Sequence, residues 1–209
     1  MKHSIAWKIS SFFASHQESG EFVRYPREAL YKLIGATTEP SRFVYVTKCS
    51  ALSPRLLPDL PTDVTLLSRD GLPAPSDVEL ISCISKQVPI GFLGDLDPAD
   101  LLTFAWLQAH FAPRQVPLLG IQDRLIQCLS DEEQRKCSLP FDESEIDALP
   151  LLQEALPDLQ ELIGPQSYRL IMSRQKIELE GLVHGHRWTP EHFWQTLFAE
   201  QHYGGPLYS

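Results

Sequence analysis

Two aspartates one residue apart, Asp95 and Asp97 in "PIGFLGDLDPADLLTFAWL" (89 to 107), are the side chains in this sequence best suited to chemistry. They stand where a continuous apolar run hands over to a helical pattern. Strand alternation puts both carboxylates on one side with Leu96 opposite, so the two could reach one hard cation. Magnesium suits that donor set better than zinc, because no His or Cys lies close in sequence. Asp97 also has a purely structural explanation. Directly before Pro98 and three residues ahead of Asp100, it fits a helix N-cap with proline at the first helical position. Such a cap stabilises a helix by about 1 kcal/mol and requires no chemistry. Asp95 has no comparable explanation, and a carboxylate between a buried strand and a buried helix needs a cation or a basic side chain.

Asp123, in "GIQDRL", falls just past a later apolar run and is a candidate third acid of the site, with a helix N-cap as its structural alternative. His184 and His186, in "VHGHRW", share one side if extended but lack a nearby third ligand, so they read as a structural or exposed pair. Trp188, Phe193, Trp194 and Phe198 read as anchors of the last helix. Ser15 and His16 are neighbours, which makes no catalytic triad. Cys49, Cys83, Cys128 and Cys137 show no metal-ligand spacing and read as free thiols.

The elements that must position these residues follow from pattern. "YPREALYKLIG" (25 to 35) predicts a short helix from Pro26 to Gly35. "RFVYVT" (42 to 47), "DVTLLS" (63 to 68), "VPIGFLG" (88 to 94) and "VPLLGI" (116 to 121) predict four strands. Between the second and third, "SDVELISCISK" predicts a helix capped by Ser76 and Glu79. "PADLLTFAWLQAHF" is apolar nearly all round, which predicts a helix buried between layers. Alternating strands and helices make this an α/β fold with a mainly parallel four-stranded sheet flanked by helices, over residues 41–130. Residues 1–40 form an N-terminal helical segment. Residues 131–209 form a polar, acidic loop, from Asp131 to Asp147, and a helical C-terminal extension packed on the core. There "PDLQELIG" makes a helix stopped at Gly164, and "PQSYRLIMSRQKIELEGLVHG" makes another with Tyr168, Ile171, Met172, Leu179 and Leu182 on one face. "TPEHFWQTLFAEQHY" makes a last one, capped by Thr189 and opened by Pro190.

The 209 residues are 43% hydrophobic, enough for a folded core, and the 17 prolines are scattered as punctuation. A net charge of −9, from 18 Lys and Arg against 27 Asp and Glu, disfavours a free-standing nucleic-acid binder. Local basic residues (Arg42, Lys48, Arg55, Arg69, Lys86) leave DNA contact open within a complex. No apolar run reaches the ~20 residues of a membrane span, and the N-terminus lacks a signal-peptide pattern, so a cytoplasmic protein without membrane contact is expected.

Strand, "GDLDPAD", buried helix and further strand resemble the second motif of the topoisomerase-primase (Toprim) domain. The nearest likeness is to the forms in the topoisomerase VI A subunit, in meiotic recombination proteins and in the Wadjet-type plasmid-defence nuclease subunit. "LPDLPTDVTLLSRDG", "VPLLGIQDRLI" and "RQKIELEGL" extend it over about residues 42 to 183, with Gly94, Asp95 and Asp97 carrying most of the weight. The resemblance implies a strand ending in Asp-x-Asp, an earlier strand ending in glutamate, and magnesium held by these acids for DNA strand cleavage. At the glutamate's position this sequence has Lys48, which removes a metal ligand and adds a positive charge. The winged-helix domain with a catalytic tyrosine has no counterpart in the first forty residues. The implied protein is one of nucleic-acid metabolism with a degenerate site: Asp95 and Asp97 kept, Asp123 as a further ligand, and the Lys48 ammonium paired with Asp95. If active, it would be a magnesium-dependent phosphodiester-cleaving enzyme. The alternative is a non-catalytic module that binds a protein partner through its acidic loop and C-terminal helices. An Asp-x-Asp phosphatase of the haloacid-dehalogenase kind ranks last, because there the motif belongs to the first strand.

Overall fold

The computed structural model describes residues 4–16, 22, 32–35, 41–47, 60–69, 71–184 and 189–198. The α/β class is as expected. Three parallel strands form the centre: β2 (Arg42–Val46) lies between β3 (Val64–Ser68) and β4 (Ile90–Leu93), with Val44 opposite both Leu66 and Gly91. The short β1 (Lys32–Ile34) joins the outer edge of β3 in antiparallel register, Leu33 opposite Leu67. Every residue of β3 and β4 is buried, which is why these strands read as unbroken apolar runs rather than alternating ones.

Two expectations about strands are corrected here. Residues 32 to 34 do not end a helix. They pair with β3, because the apolar Leu33 and Ile34 gain a sheet edge that outweighs local helix preference, and the rest of the stretch from Tyr25 lies outside the described residues. Residues 116 to 121 do not form a fourth parallel strand. They run beside β4 with a single bridge, Leu118 to Phe92, and one further bond from the Ile121 N–H to the Gly94 carbonyl at 3.3 Å; Pro117 has no N–H to extend the ladder toward the start of β4.

Around the sheet lie α1 (Ile5–Ser15), α2 (Pro75–Ile84), α3 (Pro98–Phe111) and α4 (Asp123–Ile126). The α2 helix begins one residue before Ser76, and its cap is the Asp77 carboxylate, which accepts from the Ala74 N–H at 2.8 Å. The first ten residues of α3 are all buried, as its all-round apolarity requires.

The stretch from Asp131 to Asp147 is ordered, not an irregular loop. It forms α5 (Asp131–Cys137), β5 (Ser138–Pro140) and the start of α6 (Glu143–Ala155). Its polar residues are reciprocal caps: Ser130 with Glu133, and Asp142 with Glu145, each close a helix start. Then follow α7 (Leu159–Ile163), α8 (Pro165–Met172), β6 (Gln175–Ile177), α9 (Leu179–His184) and α10 (Pro190–Phe198). The long helix expected from Pro165 onward is therefore broken. Arg174, at φ 58°, turns the chain into β6, which pairs antiparallel with β5. Thr189 caps α10 as expected, its hydroxyl oxygen accepting from the His192 N–H at 3.2 Å, and Phe193, Trp194 and Leu197 are buried.

One continuous apolar cluster runs from Ile9 in α1 through the sheet to Leu197 in α10. The α6 helix packs on α3, and α1 packs on both. Among the described residues, no helix is long and apolar enough to cross a membrane.

Candidate acidic centre

The apolar β4 ends at Leu93, and the next position, Gly94, is crowded enough to favour a glycine. A Cβ there would lie 2.6 Å from Phe92 Cε1 and 2.8 Å from Asp100 Oδ2. The backbone of Gly120 presses on the same point: a Cβ on Gly120 would stand 2.6 Å from the Gly94 carbonyl oxygen. The sheet edge, the Asp100 carboxylate and the 116 to 121 segment thus converge on one small spot at the carboxyl end of β4.

Beyond Gly94 the three aspartates fold back on one another. Asp97 is extended (φ −141°, ψ 163°), and its Oδ1 accepts from the Asp100 N–H at 2.7 Å, so it is the N-cap of α3 with Pro98 next, as expected. Asp100 returns from the first turn. Its Oδ2 accepts from the Asp95 N–H at 2.7 Å and from the Thr47 hydroxyl at 2.6 Å, tying α3 to the end of β2. Asp95 reaches furthest: its Oδ1 accepts from the Leu179 N–H at 2.8 Å, at the first residue of α9. The three are 4%, 0% and 5% exposed, which closes them to any large substrate. One carboxylate oxygen from each lies within 4.8 Å of the others, a grouping that could hold a metal ion.

A second buried charge cluster adjoins the first. Leu96, between the two aspartates, exchanges backbone hydrogen bonds with Ile177 of β6: Leu96 N–H to Ile177 carbonyl at 2.9 Å, and Ile177 N–H to Leu96 carbonyl at 3.3 Å. Beside Ile177, the buried Lys176 donates from Nζ to Glu145 Oε1 at 3.0 Å and stands 3.7 Å from Glu178 Oε1. Glu145 is fully buried, and its Oε2 accepts from the Asp142 N–H at 2.8 Å. Burial pushes its carboxyl above the ordinary value. The bonds from Asp142 and Lys176 pull the other way, and the negative charge of Asp97 adds to the push.

Asp123 is placed elsewhere. Its two oxygens accept from the Gln166 N–H at 3.0 Å and the Ser167 N–H at 2.6 Å, so it caps α8 rather than its own helix. Gly164 (φ 91°) allows this, since a Cβ there would lie 2.3 Å from Asp123 Cγ. The grouping that forms is Asp95, Asp97 and Asp100, with Asp100 where Asp123 was the candidate third acid. An open groove of about 450 Å³ runs past Asp123, Gln134, Gln166 and Arg169 and is lined by none of the three buried acids.

Lys48 lies outside the described residues, as do Arg55, His186 and Trp188. Of the basic residues that left DNA contact open, Arg69 is buried in an ion pair with Asp77, Nε to Oδ2 at 2.8 Å. Arg42 stacks its guanidinium 4.8 Å over the Phe198 ring. Lys86 is exposed. At the end of α1 the Ser15 hydroxyl donates to the Phe12 carbonyl at 2.9 Å and lies 3.0 Å from His16 Nδ1, which is itself 3.0 Å from that carbonyl.

Sequence reasoning missed Asp100, Glu145 and Lys176 as members of the centre. Asp100 could have been found from its spacing, three residues after a capping aspartate. Glu145 had the D-x-x-E box of "DESE" as a signal, though for capping only. Lys176 had none, since its place depends on a pairing between residues 96 and 177. The fold and centre define an α/β protein with a parallel sheet and a buried acidic group at one strand end. Among known proteins, no family model matches the chain and no curated protein matches it.

Proposed function

We propose that this chain is a Toprim-like module of nucleic-acid metabolism whose acidic centre no longer cleaves DNA and which works by holding a protein partner. The observation that carries this reading is the burial of Asp95, Asp97 and Asp100, each with a carboxylate oxygen already bonded to a named donor. A phosphodiester-cleaving centre must expose its metal to the scissile phosphate and to an attacking nucleophile. Acids that are 4%, 0% and 5% exposed offer neither.

The Toprim-like part of the reading is supported by the parallel pairing of β2 with β4. The strand at whose end the resemblance expects a glutamate lies beside the strand that runs into Gly94 and Asp95. The Thr47 N–H donates to the Leu93 carbonyl at 3.4 Å, so this adjacency continues past the end of β2. The donor set suits a hard cation: Asp95, Asp97 and Asp100 would hold magnesium, which would supply neutralisation of their charge. The partner-holding part is supported by the charge balance. A net charge of −9, with Arg42 and Arg69 engaged internally, argues for contact with nucleic acid through another protein.

The test is a cleavage assay of the full chain on supercoiled plasmid with magnesium or manganese. Intact plasmid is expected under both ions. Metal-dependent nicking that disappears in Asp97→Asn would overturn the non-catalytic reading.

A further inference from the structure

We propose that the polar groove between α4, α5, α8 and the start of β6 docks an extended peptide segment, and that its occupant is residues 199–209 of this same chain, which follow α10.

The lining suits peptide main chain better than a charged or an apolar ligand. Gln127, Gln134, Gln166 and Gln175 border the groove, and each amide can both donate and accept a hydrogen bond. Gln166 Nε2 already donates to Gln134 Oε1 at 2.7 Å, which ties α8 to α5. Past Asp131 and Gln134 a second hollow of about 480 Å³ carries the groove on to Arg135. The charged side chains described along it are Asp123, Asp131, Arg135 and Arg169, two of each sign. A segment with few charges meets balanced charge there, although the chain as a whole carries −9.

Gln175 adds an open piece of strand edge. The Phe141 N–H donates to the Arg174 carbonyl at 2.9 Å, and antiparallel pairs alternate between bonded and unbonded. With Pro140 opposite it, Gln175 therefore turns its N–H and carbonyl away from β5, toward the edge on which Ile177 bonds to Leu96. Continuing that register puts Pro98 opposite Gln175, but Pro98 has no N–H and already begins α3. An extended segment laid beside Gln175 gains the two main-chain bonds that this edge leaves open.

The end of α10 delivers such a segment. The Leu197 carbonyl accepts from Arg124 Nη1 at 3.2 Å, and Arg124 stands next to Asp123 and three residues before Gln127, both of which border the groove. Residues 199–209, which lie outside the described ones, read "AEQHYGGPLYS". They include one glutamate and one histidine, and Gly204, Gly205 and Pro206 disfavour a helix. Eleven residues span up to about 36 Å when extended. The eight residues of α8 beside the groove are about 12 Å long, so length sets no obstacle. A partner's extended segment enters this groove only by displacing the chain's own.

The test uses a fluorescein-labelled synthetic peptide of residues 199–209 with both ends blocked. Its anisotropy is followed on titration with the full chain, and with a variant of equal length in which residues 199–209 are a Gly-Ser repeat. The variant is expected to bind the peptide. The parent is expected to bind it at least about tenfold more weakly, since its own segment competes at roughly millimolar effective concentration. Ser173→Trp, placed in the Gly-Ser variant, fills the groove from an exposed position and is expected to weaken binding about tenfold or more with Tm unchanged. Gln127→Trp, also at an exposed lining position, takes its place if Ser173→Trp lowers Tm. Absence of binding by the variant, equal binding by parent and variant, or binding indifferent to tryptophan in the groove overturns the proposal. So does a parent that sediments as a dimer while the variant is monomeric, because the segment then lies on a second copy.

Discussion

The Asp95 carboxylate holds the start of a helix eighty-four residues away: its Oδ1 accepts from the Leu179 N–H at 2.8 Å. A residue with the sequence context of a metal ligand thus joins the end of β4 to the first turn of α9, satisfying an N–H that the helix cannot satisfy itself. Removing it with Asp95→Ala should cost about 1–2 kcal/mol of stability. Asp95→Asn keeps an oxygen acceptor at that position and should lose less. Urea unfolding of both variants separates the two effects. Equal losses would mean that the charge of Asp95, rather than its hydrogen bond, holds the junction.

The ion pair between Arg69 and Asp77 makes a stronger demand. Both side chains are almost wholly buried, and Asp77 also accepts from the Ala74 N–H. Asp77→Ala would leave a buried guanidinium without its counter-charge, at a cost of about 3–5 kcal/mol. Denaturant unfolding measures this directly. A loss below 1 kcal/mol would show Arg69 able to swing to solvent, and would return it to the residues available for nucleic acid.

The parts of the molecule legible in the sequence are those whose partners are close along the chain. Asp97, Pro98 and Asp100 fix the start of α3 within four residues, and Thr189 and Pro190 do the same for α10, so both were readable as caps. The β3 and β4 strands were readable because burial on both faces leaves an unbroken apolar run. Lys32–Ile34 was not, since three residues become a strand only when the edge of β3 is there to receive them. The acidic stretch from Asp131 was misread because its polarity suggested exposure, while its S-x-x-E and D-x-x-E boxes set two helix starts. The partner of Asp95 and the place of Lys176 depend on one contact between residues 96 and 177, which no local pattern encodes.

Glycine substitutions test how tightly the acidic centre is built. Gly94→Ala forces a methyl against the Phe92 ring and Asp100 Oδ2, so it should disturb the carboxylate that joins β2 to α3 and cost about 1–3 kcal/mol. Gly91→Ala meets the Leu119 side chain first, whose Cδ1 lies 2.5 Å from the new atom and can move. Its cost should be the smaller of the two, as thermal unfolding of the pair would show. The reverse order would mean that the Asp100 carboxylate can rearrange freely, and with it the whole cluster.

Glu145 gives the centre a pH dependence of defined sign. Burial holds its carboxyl above the ordinary 4.5, so between that value and its raised folded value the native chain binds more protons than the unfolded one. Stability from this group is therefore fully present below about pH 4.5 and declines as pH rises through the folded value. Glu145→Gln cannot titrate and lacks this component. The stability of the parent relative to Glu145→Gln should fall steadily as pH is raised from 4.5 toward neutrality, measured by urea unfolding at each pH. An increase over the same range would mean that the Lys176 ammonium outweighs desolvation and holds Glu145 ionised. In that case the Lys176 ammonium, 3.0 Å from Glu145 Oε1, would set the charge state of this buried pair.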